Sequence, residues 1–399
     1  MKRFLYHATE QKTGKRIKGS IQADSERAAG KLLIDRGYVP DSLKEENTGF
    51  LAKFTNKVTT KDKLLFTRQF ATLIGAGLPL ANSLRTVSEQ TQNKAMRAII
   101  EEILADVEAG KSLGDAFAKH PDIFDKVYLS LVRAGEVSGT LDESLKRIAY
   151  QQEKDAAMMS KIRGAMTYPL IVLVVIVAVI VFMMVTVVPQ VEGLYEDLGE
   201  ELPALTAFLV AMAAFMTQFW WLIAIFFVGL GWGFMQFRKT KTGISFFATF
   251  KLNVPMFKGL FQRLYMARFA RTAQILLATG VPMLDTLRIA GDAMNNVTVQ
   301  KSIDEAAERV QAGKQLSDSL KGKDYILPLV PQMASIGEQS GKIDEMLGKA
   351  AQVYEDELDE QIKAISTMIE PILMVVLAIV AGGMVGAILF PIYSLVNSI

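Results

Sequence analysis

Three kinds of residue could carry chemistry in this 399-residue chain. Gly110-Lys111-Ser112 has the ending of a phosphate-binding loop, in which backbone amides cradle phosphates, a lysine reaches their charge and a hydroxyl holds magnesium. The leading glycine of that loop would stand where the chain has Ala105. A second pair, Gly313-Lys314, is followed by Gln315, which removes the hydroxyl, and no strand pattern precedes either pair. Both read as glycines that close helices. The two histidines, His7 and His120, are far apart in sequence and cysteine is absent. No transition-metal set, thiol site or disulfide framework follows, and no Ser/His/Asp arrangement can be assembled. The expectation is a non-enzymatic chain with no cofactor and no metal. Gly135-Glu136-Val137-Ser138-Gly139 recurs as Gly337-Glu338-Gln339-Ser340-Gly341. Its glycines, Gly135 and Gly139 in one copy and Gly337 and Gly341 in the other, suit a tight connection between helices. Alternatively, Glu136 and Glu338 anchor a contact between copies, between subunits or to a cation, although calcium needs more oxygen ligands than can be assigned.

The elements that position these residues are duplicated. Gly77-Leu78-Pro79 recurs as Gly280-Val281-Pro282, and Pro169 and Pro189 recur as Pro371 and Pro391. A repeat of this length is a duplicated domain, not a solenoid unit. Each proline pair brackets a run without charge, 170–188 and 371–391, long enough to cross roughly 30 Å of hydrocarbon. Between them 202–237 is also free of charge. Its start reads as an interfacial helix and 215–237 as a span, with Trp220 and Trp221 near one end and Trp232 near the other, as in interfacial aromatic belts.

All 44 basic residues lie before the first span or between the second and third, whereas 189–201 holds only Glu192, Glu196, Asp197, Glu200 and Glu201. The positive-inside rule then places the basic segments in the cytosol and the acidic loop outside. The N-terminus lacks a signal-peptide pattern and is expected in the cytosol; the tail, 392–399, is expected outside. A net charge of +2 gives no reason to expect nucleic acid. None of the spans carries the ionisable residue a small-molecule transporter would ordinarily place there, which leaves an oligomeric pore as a distant alternative.

Residues 1–46 read as a small α+β module. Alternation at Phe4, Tyr6 and Ala8 and again at Ile17, Gly19, Ile21 and Ala23 predicts a hairpin, followed by a helix from Ser25 to Arg36 and a brief extended piece at 38–40. After a linker, 47–62, the spacing predicts a string of short helices over 63–169, opening a long sixth helix with a capping box at Thr140-Leu141-Asp142-Glu143 and ending it at a break before Pro169. The same pattern recurs over 238–370, with a break before Pro371. The fold class is an all-α membrane protein with two repeated cytosolic helical bundles, three transmembrane helices and the small α+β module. In the third span Ala378, Gly382 and Gly386 lie along one helix face, where small residues let helices approach closely. That face fits against the chain's own spans, a subunit seam or an apolar partner helix.

These residues carry a resemblance. Phe66-Thr67-Arg68-Gln69, Ala76-Gly77-Leu78-Pro79-Leu80, Ala134-Gly135-Glu136 with Gly139, Tyr168-Pro169, Val188-Pro189 and Leu202-Pro203 with Thr206 resemble the inner-membrane platform protein of type IV pilus and type II secretion machines. Gly14, Gly19, Ala23 and Gly37 resemble its N-terminal module. The second copy departs at Ala270-Arg271-Thr272 and Ser335-Ile336-Gly337-Glu338, so the halves are expected to differ in role. The resemblance implies a multi-pass inner-membrane protein that couples a cytosolic hexameric ATPase to extraction and polymerisation of pilin subunits. It implies other inner-membrane assembly proteins as partners and a homo-oligomer, a dimer being favoured. Pilus assembly is the favoured setting and type II secretion the alternative.

Overall fold

The computed structural model describes residues 2–10, 16–23, 30, 32–34, 38–45, 57–198 and 204–398. The first strands are β1 (Lys2–Glu10), β2 (Arg16–Ala23) and β3 (Tyr38–Glu45), antiparallel in the order β2-β1-β3. The third strand runs well past the three extended residues the sequence marks. It tolerates Pro40 because the β1–β3 register shifts between His7 and Ala8, and Pro40 lies opposite Ala8. Most of the helix expected from Ser25 to Arg36, with Gly14 and Gly37, lies outside the described residues; Gly30 and 32–34 are helical.

The first bundle comprises α1 (Thr60–Gly75), α2 (Leu80–Gln90), α3 (Lys94–Glu108), α4 (Leu113–Ala118), α5 (Lys126–Ser138) and the start of α6 (Leu141–Phe182). Side chains that satisfy free backbone amides set the starts of most of these. Thr59 and Asp62 form a reciprocal capping box on α1, Asn93 caps α3, Ser112 caps α4 and Asp125 caps α5. The box expected at Thr140 does not form, because the Thr140 hydroxyl sits 2.6 Å from the Ser138 hydroxyl and makes no cap bond. Pro79 is the cap of α2. An aromatic cluster of Phe66, Phe70, Phe117, Phe124 and Tyr128 fills the core.

The second bundle comprises α11 (Pro255–Ala278), α12 (Met283–Asp292), α13 (Val297–Gln311), α14 (Leu316–Leu320), α15 (Leu329–Ser340) and the start of α16 (Ile343–Ser398). Ala273, Leu320 and Val330 stand where the first copy has Phe70, Phe117 and Tyr128. The volume is refilled by Tyr265, Met266, Met294 and Tyr354, and by Leu252 of α10 (Lys241–Asn253), a helix without counterpart among the described residues of the first copy.

Neither proline breaks its helix. Helix α6 runs through Pro169 and α16 through Pro371. Each proline removes one hydrogen bond, but α6 stays anchored on the soluble side, where Met158 and Ile162 pack with Leu260, Leu358 and Ile365. Helix α6 then widens into one π turn, Met183–Val187, where the Val188 amide donates to the Met183 carbonyl, just before Pro189 withholds a donor. The acidic segment expected as a loop continues as helix α7 (Val188–Leu198). After α8 (Ala204–Gln218) the chain leaves the helix only at Phe219, and α9 (Trp220–Phe237) follows. The bend therefore falls inside the segment read as the middle span, in a run with no glycine, proline or charge to mark it. Among the described residues three helical stretches are long and apolar enough to cross a membrane: Leu141–Asp197, Trp220–Phe237 and Ile343–Gly386. The all-α fold with two repeated bundles and three spans is thus confirmed in its essentials.

Candidate functional site

The repeated Gly-Glu-x-Ser-Gly segment builds one corner twice. Gly139 and Gly341 end α5 and α15 in the left-handed conformation, at φ 72° and 70°. Gly135 and Gly337 face the helix that follows: a Cβ on Gly135 would lie 2.5 Å from Ser144 Oγ, and one on Gly337 2.6 Å from Ile343 Cα. The glutamate reaches sideways across the bundle. Glu136 accepts from the Leu113 amide at 2.7 Å and the Gly114 amide at 3.0 Å. Glu338 accepts from the Leu316 and Ser317 amides and, at 2.5 Å, from the Ser317 hydroxyl. Each carboxylate thus closes the N-terminus of its own repeat's short helix, α4 or α14, where helix polarity favours a negative charge. Ser112 supplements this cap in the first copy; Gln315 does not in the second, where the Ser317 hydroxyl makes the extra bond. We expect Glu136→Ala to raise amide exchange at Leu113 and Gly114 by roughly 30-fold, the equivalent of about 2 kcal/mol for two charge-assisted bonds. Exchange at Leu316 and Ser317 should stay unchanged, and hydrogen-exchange mass spectrometry of the full chain reads both.

The phosphate-loop resemblance dissolves in the same geometry. Gly110 has φ 85° and ends α3, the Lys111 ammonium donates to Asp106 at 2.7 Å, and Ser112 caps α4. His120 Nε2 lies 3.4 Å from a Glu102 carboxylate oxygen. Among the described residues no group of three or more His, Asp or Glu side chains is placed to hold a metal.

The two bundles meet along a charged seam. Helix α6 of the first repeat faces α16 of the second through Lys154–Glu355 at 3.6 Å and Lys161–Asp359 at 2.5 Å. Arg268 lies 3.7 Å from Asp155, and Lys126 pairs with Asp292. The second repeat also reaches into the first core, where Ile275 and Leu276 are buried. Beside them a cavity of about 530 Å³ opens between Phe124, Gln151, Asp155, Arg268 and Asp292. Asp155, well before the charge-free part of α6, is pushed above the ordinary carboxylate range by its burial there, and Arg268 opposes the shift.

One ion pair occurs in both copies and differs between them. Arg68–Glu153, at 3.3 Å, is mostly exposed, with side chains 70% and 41% accessible; Arg271–Glu355, at 2.8 Å, is buried at 9% and 10%. Burial follows from the seam, because Lys154 of the first repeat lies against Glu355.

The remaining residues singled out from the sequence lie apart from this seam. Pro169 and Pro371 sit inside their long helices. Ala378, Gly382 and Gly386 are exposed, and a Cβ on either glycine would meet nothing within 4 Å among the described residues.

Residues 66–189 and 269–391 each match the family described as Type II secretion system (T2SS), protein F, and residues 1–44 match the Type II secretion system protein F, N-terminal domain. The chain belongs to the type II secretion system protein F family. It is 38% identical over 367 residues to a Type IV pilus assembly protein PilC from Pseudomonas aeruginosa, covering 92% of this chain and 98% of that one. It is 34% identical to PilC from Thermus thermophilus over 99% of this chain and 98% of that one. A Type II secretion system protein F from Aeromonas hydrophila is also 34% identical, over 95% of this chain and 99% of its own. The resemblance read from the sequence motifs is thereby confirmed.

In this member of the protein F family the seam residues were missed by sequence reasoning. A signal was present: Arg68 with Glu153 and Arg271 with Glu355 occupy equivalent places in the two repeats. The equivalence marks a pair, but nothing in it says which copy of the pair is buried.

Proposed function

We propose that this chain is the inner-membrane platform of a type IV pilus assembly machine and catalyses no reaction itself. Its partners are a cytosolic hexameric ATPase, pilin subunits and other inner-membrane assembly proteins. The observation that carries the reading is the seam. Two duplicated bundles are locked into one body, and the two helices that lock them are the same helices that continue into the apolar spans. A load applied to such a body reaches the membrane directly, which suits a chain that transmits work from an ATPase. The segregation of every basic residue to the soluble segments supports a cytosolic body and N-terminus, with 189–201 and the C-terminus outside. The exposed Ala378, Gly382 and Gly386 face is then a seam for a second copy.

The relatives named for type II secretion favour one other reading, the equivalent platform of a secretion system. Deletion of the chain separates the two. We expect loss of surface filaments, with pilins retained in the membrane and type II secretion intact. Loss of secretion with normal filaments would assign the chain to secretion, and a strain unaffected in both would overturn the platform reading.

A further inference from the structure

We propose that α10 lies in the plane of the membrane surface and binds the headgroups of anionic phospholipids. The proposal goes beyond the platform role and rests only on α9 crossing the bilayer. From Glu201 to Asp285 the chain carries no acidic residue between them. Of the basic residues in that stretch, Arg263, Arg268 and Arg271 are paired with carboxylates of α6 and α16. Arg238, Lys239, Lys241, Lys251 and Lys258 are exposed and form no ion pair with any described residue. These five cations flank both ends of α10.

The helix between them has two unlike faces. Ala248 and Leu252 are buried toward the second bundle, where the Ala248 carbonyl accepts from the Asn296 side chain at 3.1 Å. The other face carries Phe246 and Phe250, 55% and 53% exposed and stacked at 5.9 Å, with Ile244 beside them. Phe247 turns back onto the end of α9, its ring 5.4 Å from Phe234, and Phe237 lies 6.3 Å from Phe246. The aromatic side of α10 therefore packs against the C-terminal end of α9, whereas Ala248 and Leu252 are buried toward the bundle.

The joint that sets this angle is tight. The Thr240 hydroxyl donates to the Phe237 carbonyl at 2.7 Å and accepts from the Gly243 amide at 3.0 Å. A Cβ on Gly243 would lie 1.9 Å from that carbonyl oxygen. The Arg238 guanidinium is held over the rings of Phe234 and Phe247 at 5.9 and 5.8 Å. An apolar face rimmed by cations that no carboxylate neutralises, two of which, Arg238 and Lys251, also lie over aromatic rings, fits an anionic leaflet at the foot of a span, with rings among the acyl chains and cations on the phosphates.

Because the chain has no cysteine, single-cysteine variants carry a nitrobenzoxadiazole label at one site. Phe250→Cys and Val228→Cys, the latter in the middle of α9, are placed in nanodiscs containing brominated phosphatidylglycerol or brominated phosphatidylcholine. The expected result is strong quenching at both positions, with quenching at position 250 greater for phosphatidylglycerol. The lipid preference of the unlabelled chain, read by spin-labelled lipids, should fall about tenfold when Lys239, Lys241, Lys251 and Lys258 are all changed to Gln. Quenching at 228 but not at 250 overturns the proposal and leaves the span intact; no quenching at 228 overturns the span itself. Equal quenching by both lipids together with an unchanged preference in the lysine variant overturns headgroup binding. A label at 250 shielded only when a second protein is present overturns the membrane as occupant.

Discussion

Glu355→Ala is expected to destabilise the chain by about 3–5 kcal/mol, because it strands Arg271 without its charge partner in a buried site. Arg271 is only 8% exposed, and its other hydrogen bond goes to Gln274 at 2.9 Å, which does not neutralise a guanidinium. The equivalent change in the first repeat, Glu153→Ala, should cost below about 1 kcal/mol, since its partner Arg68 reaches water. Thermal unfolding of the full chain in one mild detergent compares the two. Equal losses would mean that burial of the second pair contributes nothing. Replacing both partners, Arg271→Met with Glu355→Leu, should recover most of the loss, because the penalty lies in the orphaned charge more than in the missing attraction.

The second large effect is steric. Gly337→Ala should cost about 3 kcal/mol, at the upper end for one added methyl in a packed interior. The new Cβ would lie 2.6 Å from Ile343 Cα and 3.1 Å from Ile343 N, and backbone cannot rotate aside, so α15 and α16 must separate. Gly135→Ala meets mainly the Ser144 side chain, at 2.5 and 2.7 Å, although Leu141 Cα is 3.0 Å away. It should be the milder of the two, to the extent that Ser144 can adjust. The same unfolding measurement ranks the variants, and a Gly337→Ala chain with wild-type stability would show that the corner is looser than its geometry.

What the sequence disclosed was what is written locally or twice. The duplicated glycine corners, the helix-closing glycines and the charge-free spans depend on neighbours a few residues apart, and the structure places them where periodicity does. Interruptions were harder to read. Pro169 carries the ordinary signature of a helix end, yet its lost hydrogen bond is outweighed by packing at Met158 and Ile162. The bend at Phe219 has no mark at all. Thr140 lost its expected role to a rival two residues away, the Ser138 hydroxyl. The seam was invisible for a different reason: its pairs join residues far apart in the chain, one from each repeat, and a charged residue looks the same in sequence whether water or another repeat covers it.

The unbroken course of α16 has a mechanical consequence. At 56 residues and 1.5 Å per residue it is a rod of about 84 Å. Within its soluble half it is gripped by α6 through Lys154–Glu355 and Lys161–Asp359, and the remainder projects beyond that grip. A rod held near one end is a lever. Rotation of ~5° about the grip would sweep the far tip through ~6 Å, on the scale of one helical turn. Because α16 has no hinge at Pro371, little of that displacement would be absorbed on the way.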